Sequence, residues 1–181
     1  MTAFAFDDAG WTRDAVGMPS PHHDARPDGA TIDLLVIHNI SLPPGEFGGP
    51  GIPDLFLGRL DCDAHPYYER LRGLRVSAHF LIRRDGAVLQ FVSCLDRAWH
   101  AGQSEWRGRT RCNDFSLGIE LEGTDDMPFD ERQYARLARL ARGLLARYPI
   151  VDVAGHSDIA PGRKTDPGPC FDWARFRRDL A

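Results

Sequence analysis

The run Ile32-Asp-Leu-Leu-Val-Ile-His38 is short, mostly apolar, and bounded by Gly29 before it and Asn39 after it. A run of this length between turn residues predicts a buried strand rather than a helix. The next stretch, Ser41-Leu-Pro-Pro-Gly-Glu-Phe-Gly-Gly-Pro-Gly-Ile-Pro53, holds too much proline and glycine to continue either kind of element. The irregular segment runs to about Arg75, long enough to be functional or to hide a short helix near Pro53 to Leu60. Beyond it, Val76 to Ile82 and Ala87 to Val92 flank Asp85-Gly86, a hairpin signal, so these two strands are expected to pair antiparallel. Phe115 to Leu121 and Val151 to Gly155 predict two further strands. Phe129 to Tyr148 predicts the main helix. Asp130 and Gln133 have capping-box spacing, Phe129 can staple onto Tyr134, and Tyr134, Leu137, Leu140, Ala141, Leu144, Leu145 and Tyr148 form an apolar stripe. Phe171 to Leu180 predicts a terminal helix. This alternation predicts an α/β fold, a mixed central sheet with helices packed on its faces, in a single domain over residues 1–181.

With 43% hydrophobic and 27% charged residues, the chain fits a globular protein rather than a disordered one. A chain of this size buries roughly 70% of its unfolded surface, enough for a real core. The net charge of −4 and the lack of a Lys/Arg cluster give no footprint for nucleic acid. Arg132, Arg136, Arg139, Arg142 and Arg147 are spread along the main helix and read as a solvated face. The opening Met-Thr-Ala-Phe-Ala-Phe-Asp-Asp has neither a basic start nor a long apolar run, so no signal peptide and no membrane span are expected, and the expected location is the cytoplasm. Cys62, Cys94, Cys112 and Cys170 lie far apart and are expected to be free thiols.

Two imidazoles fall at strand ends, His38 closing the first strand and His156 just past the last. They can share one rim of the sheet. The loop His156-Ser-Asp-Ile-Ala-Pro-Gly-Arg-Lys-Thr-Asp166-Pro-Gly-Pro adds two aspartates and a lysine. A catalytic zinc takes three protein ligands and keeps a fourth position open. His38, His156 and one carboxylate make such a set, with Asp158 and Asp166 both eligible and Cys170 a weaker third choice. Asp158 also suits a capping or turn role. In Phe115-Ser-Leu-Gly-Ile-Glu-Leu-Glu122, Glu120 and Glu122 point to one face. Either that face is wet, or one of the two is a general base whose pKa is raised by burial and by a second carboxylate.

Seven segments together resemble the AmpD-type N-acetyl-anhydromuramyl-L-alanine amidases, within the larger group of zinc amidases and peptidoglycan-recognition proteins. They are Pro19-Ser-Pro-His-His-Asp-Ala-Arg-Pro27, Val36-Ile-His-Asn-Ile-Ser-Leu-Pro-Pro-Gly-Glu-Phe-Gly-Gly-Pro50, Leu74-Arg-Val-Ser-Ala-His79, Arg97-Ala-Trp-His-Ala-Gly102, Arg111-Cys-Asn-Asp-Phe-Ser116, Gly118-Ile-Glu-Leu-Glu-Gly-Thr124 and Arg163-Lys-Thr-Asp-Pro-Gly-Pro169. They run in family order from about Trp11 to Phe176.

The resemblance implies one Zn2+ per chain, held by His38, His156 and Asp166; distant relatives carry cysteine at the third position. It implies Glu120 as catalytic base and Lys164 as the cation that stabilises the tetrahedral intermediate, leaving Glu122 a structural acid. It names Arg111 and Arg163 as candidates for the peptide, and Asn39, Arg75 and Trp99 for the sugar. The implied activity is hydrolysis of the amide between (1,6-anhydro-)N-acetylmuramic acid and L-alanine in soluble muropeptides, in cell-wall recycling, by a monomer. His79 is expected in the core and His100 at the cleft, with His22, His23 and His65 ordinary loop residues. The alternatives are an amidase acting on intact peptidoglycan and a non-catalytic peptidoglycan-binding module. Export would favour the first and a missing zinc ligand the second.

Overall fold

The computed structural model describes residues 2–180. Two short strands, β1 (Val16–Gly17) and β2 (His23–Asp24), precede β3 (Leu34–Ile40). A loop segment carrying α1 (Gly51–Phe56) and a 3-10 turn (Pro66–Leu71) leads to β4 (Phe80–Ile82) and β5 (Val88–Gln90). Next come the two-residue strands β6 (Arg97–Ala98), β7 (Glu105–Trp106) and β8 (Arg109–Thr110), then β9 (Ser116–Glu122). The chain ends with α2 (Glu131–Arg147), β10 (Asp152–Gly155), α3 (His156–Ile159) and α4 (Trp173–Leu180). The main sheet has six strands in the order β1-β5-β4-β9-β3-β10. It is mixed: β4 and β5 form the antiparallel hairpin expected around Asp85-Gly86, and its other pairings are parallel.

The period of two in the parallel strands sorts their side chains onto two faces. Leu35 and Ile37 of β3, with Leu117, Ile119 and Leu121 of β9, pack beneath Leu137, Leu140 and Leu144 of α2 and Phe176 of α4. The residues between them turn to the opposite face, where Leu34 and Val36 meet Ala101, Cys112 and Ile159. His38 and Glu120 therefore lie on the face away from α2, and they are direct register partners across β3 and β9.

Local chemistry explains most element ends. Asp130 and Gln133 close the capping box that starts α2, and Phe129 meets Tyr134 at a ring-centroid distance of 6.4 Å. The last helix begins at Trp173 rather than Phe171, because Asp172 caps it by accepting the Arg175 amide (2.9 Å) while Phe171 enters the core. The early helix spans Gly51–Phe56 rather than Pro53 to Leu60; Gly58, at φ +67°, turns the chain away just after it. The strand expected over Val76 to Ile82 is confined to Phe80–Ile82, since the Ser77 amide bonds instead to the Trp99 carbonyl (3.2 Å). Among the described residues no helix is long and apolar enough to cross a membrane.

Candidate active site

The parallel strands β3, β9 and β10 end on the same side of the sheet. In open α/β sheets, the carboxyl ends of such strands are where ligands bind. His38 lies in β3, and Gly155 of β10 sits in register with Ile37, so His156 emerges beside His38. The one-turn helix α3 fixes that exit: Asp158 Oδ2 accepts the Gly155 amide at 2.7 Å. This is the capping role that sequence allowed for Asp158. The loop after α3 folds back, with the Ser157 amide donating to the Asp166 carbonyl (2.9 Å), and carries Asp166 to the imidazoles. Cys170 is not in the cluster, and all four cysteines are free thiols.

Nδ1 of His38, Nδ1 of His156 and Oδ2 of Asp166 stand 3.0, 3.1 and 3.1 Å apart. Ligand atoms about 2.0–2.1 Å from a tetrahedral zinc would lie about 3.3 Å from one another, so this triangle is close to the face of such a site. Proton placement agrees. The Ala101 carbonyl can only accept, so His156 Nε2–H donates to it (3.1 Å) and a neutral ring turns the Nδ1 lone pair to the cluster. Two imidazoles and a carboxylate converging this way suit a cation. Burial holds His38 neutral, its pKa lowered to about 4 despite the pull of Asp166. Burial alone would raise the Asp166 carboxyl, but its close contacts with His156 and His38 outweigh it and hold the group low. Both settings favour the deprotonated forms that bind metal.

Glu120 is 8% exposed, and its Oε2 is buried with no hydrogen-bond partner among the described residues. Burial, and next the charge of Asp166, push its pKa well up, with Lys164 opposing. Glu122 is also buried, so this face is not wet. Its needs are met: it accepts from the amides of Gly48 (2.7 Å) and Arg84 (3.0 Å) and from Arg83 Nη1 (3.2 Å), which ties the Pro/Gly-rich loop to the sheet.

A cleft of about 270 Å³ opens over these groups. Glu120, Lys164, Asp166, His156, Asn39 and Trp99 line it, and Tyr67, Leu71 and Leu74 form an apolar wall that the sequence reading did not single out. Asn39 donates to Asp125 (2.7 Å), and Trp99 Nε1 to Asp24 (3.0 Å). Arg75 is exposed in an adjoining recess that shares Leu55, Leu71 and Leu74 with the cleft. Arg111 and Arg163 border a separate groove beyond α3, where Arg163 donates to the carbonyls of Ala101 (2.7 Å) and Gln103. His79 is buried as expected, accepting the Gly118 amide at 3.0 Å. His65 caps the 3-10 turn. His22 is not an ordinary loop residue: it is buried, stacked on Trp99 at a centroid distance of 6.0 Å and bonded to the Val76 carbonyl.

A family model described as N-acetylmuramoyl-L-alanine amidase matches residues 28–169. The chain belongs to this amidase family. It is 59% identical over 172 residues to the 1,6-anhydro-N-acetylmuramyl-L-alanine amidase AmpD of Citrobacter freundii, covering 94% of this chain and 92% of that one. The crystal structure of a selenomethionine AmpD derivative superposes with a TM-score of 0.94 at 57% identity, over 96% of this chain and 98% of that one. A more distant member of the amidase group is AmiD from Escherichia coli, solved in complex with anhydro-N-acetylmuramic acid-L-Ala-D-γ-Glu-L-Lys. It matches at a TM-score of 0.61 and 30% identity, over 96% of this chain and 65% of that one. In an amidase of this family, the features to explain are therefore the buried His-His-Asp triangle and the buried Glu120 beside it, whose Oε2 has no partner among the described residues.

Proposed function

We propose that this amidase hydrolyses the bond between 1,6-anhydro-N-acetylmuramic acid and L-alanine in soluble muropeptides, using one zinc held by His38, His156 and Asp166. The convergence of their three ligand atoms at 3.0–3.1 Å carries the reading. Zinc, when bound, supplies a Lewis acid that acidifies water and polarises an amide carbonyl. Glu120, with Oε2 free of partners among the described residues, takes the proton of the attacking water and returns one to the departing amine of L-alanine. Lys164, on the cleft wall, faces the negative charge that develops on the carbonyl oxygen. Asn39, Arg75 and Trp99 are proposed contacts to the sugar. Arg111 and Arg163 are proposed contacts to the carboxylates of the peptide, which suit a guanidinium fork.

The proposed setting is recycling of wall fragments in the cytoplasm by a monomer whose single amidase domain takes in the whole chain. The buried free thiols Cys94 and Cys112 suit a reducing compartment. The relative named 1,6-anhydro-N-acetylmuramyl-L-alanine amidase, 59% identical to this chain, supports an anhydromuramyl substrate. Rates on purified anhydromuropeptide and on intact sacculi, at matched concentrations of scissile bond, test it. The soluble fragment is expected to be cleaved much faster, and preferential release of peptide from sacculi would overturn the assignment. Lys164→Ala should lower kcat by roughly 10²–10³, a typical loss for one oxyanion donor, with zinc content unchanged. Steady-state kinetics and metal analysis on the variant check this.

A further inference from the structure

We propose that the turn His100-Ala101, clamped by Asn113, is the positioning element for both metal-facing imidazoles, with His100 holding His38 and the Ala101 carbonyl holding His156. The inference rests on the metal reading above and concerns groups outside the triad. His38 Nε2 lies 2.9 Å from His100 Nδ1, with the rings edge to face at 84°. His100 Nε2 lies 3.2 Å from Ser116 Oγ. His156 Nε2 donates to the Ala101 carbonyl at 3.1 Å. One side-chain oxygen fixes the whole turn: Asn113 Oδ1 accepts the amides of His100 (3.2 Å) and Ala101 (2.8 Å).

One arrangement of protons satisfies every contact. With Nδ1 of His38 turned to a cation, its Nε2–H donates to His100 Nδ1. The proton of His100 then sits on Nε2, toward Ser116. Each metal-facing ring thus has its far nitrogen bonded to one of two consecutive residues, which stops rotation about the bond joining ring to Cβ. Such outer partners set ring orientation and ligand basicity. The sheet makes room for this: a Cβ on Gly118 would stand 2.5 Å from Cγ of His100, so only glycine there lets the ring approach β9 this closely.

Zinc dissociation constants, measured by competition with a chromogenic chelator on the purified protein alongside apo-protein melting, test the proposal. His100→Leu removes the acceptor and is expected to weaken zinc binding roughly 10–100-fold. His100→Asn, whose Oδ1 can take the place of Nδ1, should recover most of that loss. Asn113→Ala frees the turn and should weaken zinc in the same way, while Asn113→Asp keeps the acceptor and should recover it. If His100→Leu does not fold, the Asn113 pair decides. Apo melting lowered in the Leu and Ala variants with zinc affinity at the parent value would reduce the turn to a structural role and overturn the proposal. Asn and Asp variants no better than their Leu and Ala counterparts would also overturn it. A parent protein that takes up no zinc at all overturns the metal reading, and this proposal with it.

Discussion

Glu120→Gln is expected to leave the protein folded, zinc-loaded and able to bind muropeptide, yet to lower kcat by about 10²-fold or more, the usual worth of a general base. The expectation comes from the surroundings of the residue. Its Oε2 is buried without a partner among the described residues, and it stands beside His38 across two paired strands. Glutamine keeps the shape and removes only the ability to take a proton. Glu122 supplies the contrast. It lies on the same face but is bonded to Gly48, Arg83 and Arg84. Glu122→Gln turns an amide nitrogen toward donors, so it should lower the melting temperature while leaving turnover of the folded fraction near the parent value. Steady-state rates, zinc content and melting curves on both variants decide the matter. An inactive but stable Glu122→Gln beside a working Glu120→Gln would make Glu122 the base and overturn the assignment to Glu120.

His38→Ala, His156→Ala and Asp166→Ala are each expected to abolish activity and to lose most of the bound zinc, because two ligands cannot hold the ion as three do. Asp158→Ala should keep its zinc. The Asp158 carboxylate caps α3 through the Gly155 amide, so the expected cost is about 1 kcal/mol of stability, the ordinary value of a lost cap. Metal analysis after dialysis against metal-free buffer, with melting temperatures alongside, separates the two kinds of loss. Retention of zinc by Asp166→Ala together with its loss from Asp158→Ala would reverse the assignment of the third ligand.

Much of the fold was legible because it rests on local rules. The apolar run before His38, the Asp85-Gly86 turn and the capping box at Asp130 each state their structure within a few residues. The two strand-end histidines could be read as a pair for the same reason. The remainder depends on contacts between distant segments. Asp158 and Asp166 share one Pro/Gly-rich loop, and their spacing does not reveal which one the loop brings to the imidazoles; the resemblance chose Asp166, and the chain folds so that Asp166 arrives while Asp158 caps α3. Glu120 and Glu122 have the same parity and similar burial, and only the partners reaching Glu122 from residues 48, 83 and 84 tell them apart. The role of His100 was hidden most completely, since it needs the vacant side of Gly118 and backbone amides held by the Asn113 side chain. His22 was misjudged because nothing nearby in sequence announces the stacking of Trp99 upon it.

The most direct test of the zinc-dependent amidase reading is mass spectrometry of the products formed from a purified anhydromuropeptide, by enzyme as prepared, after chelation, and after zinc is restored. The account predicts 1,6-anhydro-N-acetylmuramic acid and a peptide beginning with free L-alanine, with cleavage stopped by the chelator and recovered with zinc. Cleavage at any other bond, or undiminished cleavage by protein shown to be free of metal, would contradict it.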